Sequence, residues 1–408
     1  MERSIEVLQT KEENYTLAIN NVLLHSKYYP FKEVEIFVEN NLDKIKDKKF
    51  ILIYGIGLGY HLKKIMKIIA NDCKVFAFDA DIEIIKKSEE LGMLDELKKD
   101  KRIKLFYKYN KEFFRELSEK MTLVKDIIIY KPSLRILPSK YKELKNLLNS
   151  YELSKIAIER FGDIAKDNYY ANINEQSESI KDFLNIMNFS DRPIVIVSGG
   201  PSLEYDLLNL KKYRNKVYIF ALGRTIDILM KNNILPDIIT IIDPQNIVYE
   251  QMKDYLELDI PLCFLSTACS VAVKNYKGPK YIFFNDFDEK NKDKIIINTG
   301  KSVAVAALDI AVKSGSKQII FVGQDLAYLN NKFHAGDRVE EKVSSISKGI
   351  KKVEGVDGNM LDTTMGLLEF KRNIENIISN NSDIEFINCS KGARIEGTLE
   401  KDFEVLFD

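Results

Sequence analysis

Twice in this chain an unbroken apolar run of strand length ends directly in a glycine turn, and no other feature constrains the fold as much. Phe50-Ile51-Leu52-Ile53-Tyr54 leads into Gly55-Ile56-Gly57-Leu58-Gly59, and Ile194-Val195-Ile196-Val197 leads into Ser198-Gly199-Gly200-Pro201-Ser202-Leu203. A run without polar alternation suits a strand covered on both faces, as in the parallel sheet of an α/β domain. Helical spacing follows each turn, over residues 62–70 and from about Leu203, and residues 74–78 read as a further strand. Strand, glycine turn, helix and strand in that order open a doubly wound α/β domain. The expected fold class is α/β, with two Rossmann-like domains in tandem. Residues 1–150 form the first, with leading helices over 1–48; residues 151–190 form a helical connector; residues 191–408 form the second.

Weaker strands are expected at 103–107 and 126–130, with an edge segment at 132–138. The second domain continues with strands at 217–221, 238–242, 262–265, 281–284, 318–322 and 384–388, and helices at 225–232, 303–313 and 367–379. With 408 residues, 45% of them apolar, each domain can bury a core. Lys+Arg and Asp+Glu are equal at 61 each, so no net field draws the chain to nucleic acid or to an anionic membrane. The polar N-terminus lacks an apolar signal segment, and no stretch approaches the roughly 20 apolar residues of a membrane span. Cys73, Cys263, Cys269 and Cys389 show no paired spacing, which fits a reduced cytoplasm. His25, His61 and His334 form no cluster with them, which argues against a structural metal site.

The first glycine turn has Asp79 and Asp81 closing the next strand, where carboxylates can meet ribose hydroxyls. The same glycines serve equally to make a tight strand-to-helix turn, and that structural reading is preferred; a methyltransferase binding S-adenosylmethionine is the functional alternative. The second turn is sharper. Ser198, Gly199 and Gly200 expose backbone N–H groups, and Pro201 and Ser202 suit a helix start, Ser202 as a cap. A helix N-terminus at a strand's carboxyl end is a ready phosphate site, and this turn has no Gly-Lys-Ser/Thr, so it is not a Walker loop. Asp243 ends an apolar strand, either facing the crevice or capping the strand. Asn298-Thr299-Gly300-Lys301-Ser302 precedes an Ala/Val-rich helix and offers an anion a second helix N-terminus, or is an ordinary capping segment. After the strand at 318–322 come Gly323-Gln324-Asp325-Leu326-Ala327-Tyr328 and then His334, a candidate general base.

Three motifs, Ser198 to Leu203, Leu235-Pro236-Asp237 leading to Asp243, and Gly323 to Tyr328 followed by His334, occur in this order. A fourth, Gly392-Ala393-Arg394-Ile395-Glu396-Gly397-Thr398, closes the chain. Together they resemble the motility accessory factor family, flagellin glycosyltransferases whose central domain is similar to bacterial sialyltransferases. Lys391 departs from the smaller or acidic residue expected before the closing motif. The resemblance implies transfer of a nonulosonic acid, pseudaminic or legionaminic in type, from its CMP-activated form to Ser or Thr of flagellin, with no metal cofactor. It implies that Ser198, Gly199, Gly200, Pro201 and Ser202 form the nucleotide turn. Asn298, Thr299, Gly300 and Ser302 would meet the phosphate or sugar carboxylate. Asp243, Gln324 and Tyr328 would line the donor site, and His334 and Asp325 would be catalytic. Residues 194–330 also resemble archaeal 6-hydroxymethylpterin diphosphokinases, which would make Asp243 and Asp325 Mg²⁺ ligands. A non-catalytic flagellin chaperone is a third class of reading.

Overall fold

The computed structural model describes residues 3–187, 189–286, 294–329, 335 and 350–407. The chain divides into two compact units, Met1–Glu152 and Leu153–Asp408.

The first unit opens on an antiparallel sheet of β1 (Ile5–Gln9), β2 (Tyr15–Ile19) and β3 (Val22–Leu23), where helix was expected. The overlooked signal is Asn20-Asn21. Both residues sit at positive φ, 45° and 65°, which is the turn chemistry of a two-residue hairpin. Helices do follow, at Pro30–Glu39 and Leu42–Ile45. Then β4 (Phe50–Tyr54), β5 (Lys74–Phe78), β6 (Ile103–Phe106) and β7 (Ile127–Ile129) form a parallel sheet in the order β6-β5-β4-β7. The strand order thus reverses at β4. The segment at 132–138 is no edge strand: Lys131–Ile136 is helical, with Pro132 in the first turn, where its missing N–H costs nothing.

In the second unit, β8 (Glu178–Ser179), β9 (Ile194–Val197), β10 (Tyr218–Leu222), β11 (Ile238–Ile241), β12 (Leu262–Leu265), β13 (Lys280–Phe283) and β14 (Gln318–Val322) belong to one sheet. A hairpin of β15 (Lys351–Glu354) and β16 (Met360–Thr363) stands apart from it. Then β17 (Glu385–Asn388) and β18 (Leu399–Glu400) complete the sheet, in the order β18-β17-β14-β9-β10-β11-β12-β13-β8. Every pair is parallel. The chain steps outward from β9 through β13, then returns to the other side of β9 with β14, so the order reverses between β9 and β14. All four residues of β9 are fully buried, as its unalternating sequence requires.

The helix Val303–Lys313 has buried residues continuously from Ala304 to Ala311, so it too is enclosed on all sides. The expected connector is a long helix, Lys142–Asn172, followed by β8 as an edge strand and the helix Ile180–Ile186. Asn172 Nδ2 donates to the carbonyls of Ser266 (3.0 Å) and Ala268 (2.8 Å), tying that helix end to the loop after β12. Both tandem sheets thus follow the expected α/β pattern. Among the described residues no helix is long and apolar enough to cross a membrane. All four cysteines are buried and unbridged.

Candidate functional site

In an open parallel sheet the strand ends diverge where the order reverses, and ligands enter that crevice. Each unit has one such point, and each carries one of the two glycine turns.

In the first unit the chain fills the crevice itself. Gly55, Gly57 and Gly59 have φ of 102°, 50° and 78°, conformations that glycine adopts freely. A Cβ on Gly55 would lie 2.9 Å from the Cβ atoms of Tyr130 and Ser133, which follow β7. Asp79 does not face solvent. Its Oδ2 accepts the N–H of Ile56 (2.8 Å) and its Oδ1 that of Asp81 (3.0 Å). Burial raises its carboxyl to about 6. Asp81 is paired with Arg3. Tyr130 donates to Glu33 (2.6 Å) and lies 2.7 Å from His25 Nδ1, while His61 Nε2 contacts the Gly55 carbonyl (2.8 Å). The structural reading of this turn accounts for these contacts.

In the second unit a cleft of about 190 Å³ remains between the β9 and β14 turns. It is lined by Ser198, Gly199 and Gly200, by Gly323 to Ala327, by Ser302 to Ala304, by Leu222, Arg224 and Thr225, and by Leu367 and Phe370. Of the residues anticipated from sequence, Ser198, Gly199, Gly200, Ser302, Gln324 and Asp325 meet here. Pro201, Ser202, Asp243, Asn298, Thr299, Gly300 and Tyr328 do not line it. His334 lies outside the described residues.

The glycines serve the approach of three loops to one another. A Cβ on Gly200 would lie 2.4 Å from both Asp325 Oδ2 and the Gly323 carbonyl. One on Gly392, in the closing motif, would lie 2.1 Å from the Asp325 carbonyl. Asp325 is the hub of this packing. Its Oδ2 accepts the N–H of Ser202 (2.8 Å), its Oδ1 that of Lys391 (3.2 Å), and its carbonyl that of Ala393 (2.7 Å). Burial pushes its carboxyl up, and these N–H groups pull it back. The helix Leu203–Lys212 therefore already has an anion at its N-terminus, supplied by the protein. Ser202 was expected to cap that helix, but its backbone is already helical, φ −68° and ψ −14°, and its side chain makes no capping bond; Asp325 holds its N–H instead.

The second helix N-terminus is different. Asn298 Oδ1 accepts the Gly300 N–H (3.0 Å), and Gly300 and Lys301 turn through positive φ, 47° and 63°. This shapes the entry to the helix Val303–Lys313 instead of presenting the Asn298 side chain to a ligand. Ser302 makes no side-chain cap. Among the described residues, no acceptor meets the N–H groups of Val303 and Ala304. Both line the cleft. Gln324 is 6% exposed, and Ser198 Oγ donates to its Oε1 at 2.6 Å. That bond commits the amide oxygen and leaves Nε2 without a described acceptor. The cleft is thus rich in uncommitted donors and suited to an anion.

Elsewhere, Asp243 Oδ1 accepts the Gln245 N–H at 2.8 Å, the strand-end cap that was its alternative reading. Tyr328 donates its N–H to the Asp362 carbonyl. Leu326, at φ 54°, is a strained non-glycine residue on the cleft wall, its carbonyl held by Thr363 Oγ1 at 2.8 Å. Arg224, Leu367 and Phe370 were missed in the sequence. Arg224 comes two residues after the apolar strand β10, separated from it by Gly223, and that position was its available signal.

Residues 167–331 match the family model described as "6-hydroxymethylpterin diphosphokinase MptE-like". No curated protein matches the chain. Among solved structures, the Maf glycosyltransferase from Magnetospirillum magneticum AMB-1 aligns with a TM-score of 0.55 at 14% identity, covering 99% of this chain and 71% of that one. At that identity the likeness is one of fold. The resemblance drawn from the motifs is borne out to this extent: the chain carries an MptE-like domain over residues 167–331 in a fold similar to that of a Maf glycosyltransferase.

Proposed function

We propose that this chain is a glycosyltransferase that moves a nonulosonic acid from its CMP-activated donor to a Ser or Thr hydroxyl of flagellin in the cytoplasm. The donor is seated in the cleft between β9 and β14. The observation that carries this reading is the set of uncommitted donors there: Val303 N–H, Ala304 N–H and Gln324 Nε2. A CMP-linked sugar acid brings a phosphodiester and a carboxylate to such donors. As CMP leaves, charge grows on its phosphate, and preoriented N–H groups stabilise that charge without reorganising. The anomeric carbon takes on oxocarbenium character while a base within reach removes the acceptor proton. Asp325 is not suited to be that base, since both its oxygens already accept backbone N–H groups. It acts as a positioning residue, and His334 is the remaining base candidate. A single phosphate held by N–H groups needs no metal cofactor.

The likeness in fold to a Maf glycosyltransferase supports this choice of chemistry. The description of the matching family model favours a second reading, Mg²⁺-dependent pyrophosphoryl transfer from ATP to a pterin. Against that reading, Asp243 and Asp325, which it would need as metal ligands, are committed to N–H donors.

Calorimetric titration with CMP, and separately with ATP and Mg²⁺, decides between the two. Metal-independent CMP binding, followed by a mass increase of flagellin incubated with enzyme and CMP-nonulosonate, is the expected result. Binding of ATP with Mg²⁺ and none of CMP would establish the diphosphokinase instead.

A further inference from the structure

Arg224 has no place in the reading from sequence, yet its setting is built. It is the only cationic side chain among the described residues lining the cleft. It leaves the carboxyl end of β10, which pairs with β9 in the register Ala221 to Val197, so it stands beside the second glycine turn. The next residue, Thr225, is fully buried and fixes the turn that carries Arg224. The single proton of Thr225 Oγ1 is shared between the carbonyls of Leu222 (2.9 Å) and Val197 (3.2 Å), and the oxygen accepts the Leu222 N–H (3.1 Å). The base of the β10 turn is thereby stapled to the last residue of β9. A Cβ on Gly199 would lie 3.8 Å from Arg224 Cδ, so the arginine stem runs alongside Gly199.

On the far side of the β9 turn, at the end of β14, Gln324 is buried, 6% exposed, and its Nε2 has no acceptor among the described residues. The open N-terminus of the helix Val303–Lys313 lines the same cleft. Strands in a sheet stand about 4.8 Å apart, so β10 and β14, on either side of β9, are separated by roughly 10 Å. A guanidinium and an amide reaching inward from both sides can meet on one oxyanion, with the helix N–H groups as further donors. Asp325, the one carboxylate among the described residues lining the cleft, has both its oxygens engaged by the N–H groups of Ser202 and Lys391.

We infer that Arg224 is the cationic ligand for the phosphate of the nucleotide bound in this cleft, acting opposite Gln324 across the β9 turn. The inference rests on the cleft being a nucleotide site, as proposed above, but not on which nucleotide it takes. Guanidinium–phosphate bonds are charge-assisted and about twice as strong as neutral ones.

The test is calorimetric titration of the full chain and of Arg224→Gln and Arg224→Lys with CMP, ATP, cytidine and adenosine, at two salt concentrations. For whichever nucleotide the native chain binds, Arg224→Gln should weaken it about 10- to 100-fold. It should leave the matching nucleoside unchanged and flatten the salt dependence, and Arg224→Lys should recover part of the loss. Equal affinity of Arg224→Gln and native chain for the nucleotide would overturn the inference. So would a parallel loss of nucleotide and nucleoside, which would mark a purely structural residue, or a native chain that binds no nucleotide. Arg224-dependent binding of ATP without CMP would uphold the inference while sinking the CMP-donor reading, so the two failures are separable.

Discussion

At the end of β4 the crevice of the reversing sheet is filled by Tyr130, Ser133, His25 and His61, whereas at the end of β9 a cleft stays open between Gln324, Arg224 and the helix entry at Ser302. Both turns are glycine-rich and both follow a wholly apolar strand. They differ in what their polar neighbours do. Asp79 spends its carboxylate on N–H groups of its own turn and of Asp81, and the polar atoms left without a partner there, Ser133 Oγ, His25 Nε2 and His61 Nδ1, are enclosed among packed side chains. In the second unit Asp325 does the same for one helix N-terminus, but a second N-terminus and the Gln324 amide remain uncommitted. A glycine turn at a topological switch point is therefore a permissive feature, and unmatched donors that line an open cleft, as Val303, Ala304 and Gln324 do, make the difference between scaffold and site.

Substitutions can break this contrast directly. The largest effect is expected from Gly200→Val. Its branched side chain would start 2.4 Å from Asp325 Oδ2 and the Gly323 carbonyl, which are parts of one packed junction. CMP binding should be lost and the thermal midpoint should fall by several degrees, as for about 2–4 kcal/mol. A normally stable Gly200→Val chain that binds CMP like the native one would show that the open cleft is not the site.

Gln324→Glu should come next. It replaces an uncommitted donor by a carboxylate facing the anion, and roughly 100-fold weaker CMP binding is expected, against about 10-fold for Gln324→Ala. Equal losses in the two variants, read by calorimetry, would mean that Gln324 acts only through its bond to Ser198.

In the filled crevice, Gly57→Ala should cost only about 1–2 kcal/mol of stability. The added Cβ would meet nothing closer than 3.4 Å, and the strain is that of an L-residue at φ 50°. Nucleotide affinity should be unchanged, and a loss of affinity in this variant would give the first turn a role in binding.

The smallest effect concerns pH. Asp79 titrates near 6 when folded against 3.8 when free, so its contribution to stability falls as pH rises through that window. His61 is buried as the neutral ring, near 3 when folded against 6.5 when free, chiefly through burial, so its contribution is lost as pH falls from 6.5. The two oppose each other between about 4 and 6. In Asp79→Asn only the histidine slope remains, and thermal midpoints measured across that range should drop more steeply toward acid than in the native chain. Parallel profiles would mean that other groups dominate.

Much of the fold was legible from short-range pattern. The strand 262–265, the strand 318–322 and the helix 303–313 were placed at their observed bounds, because uninterrupted apolar runs and an Ala/Val-rich helix are signals carried by neighbouring residues. The opening sheet was missed because its strands are short, the third only two residues, and its clearest signal is the Asn20-Asn21 turn between β2 and β3. The edge strand β8 was missed because two residues carry no period. In the site, the β9 turn and the Gly323 to Asp325 turn were both found, but their partners were not assigned.

The sequence by itself determined where strands meet glycine turns and therefore which segments reach the carboxyl edge of each sheet, since apolar run length and glycine placement are local. Only the tertiary structure decided which polar groups were already matched. Asp325 is matched by Ser202 and Lys391, Asp243 by Gln245, and Asp79 by Ile56 and Asp81, while Val303, Ala304 and Gln324 are left with donors to offer. The physical reason is that hydrogen-bond satisfaction of a buried group is set by groups brought together from distant parts of the chain: Asp325 meets an N–H 123 residues away, a pairing that no local spacing encodes.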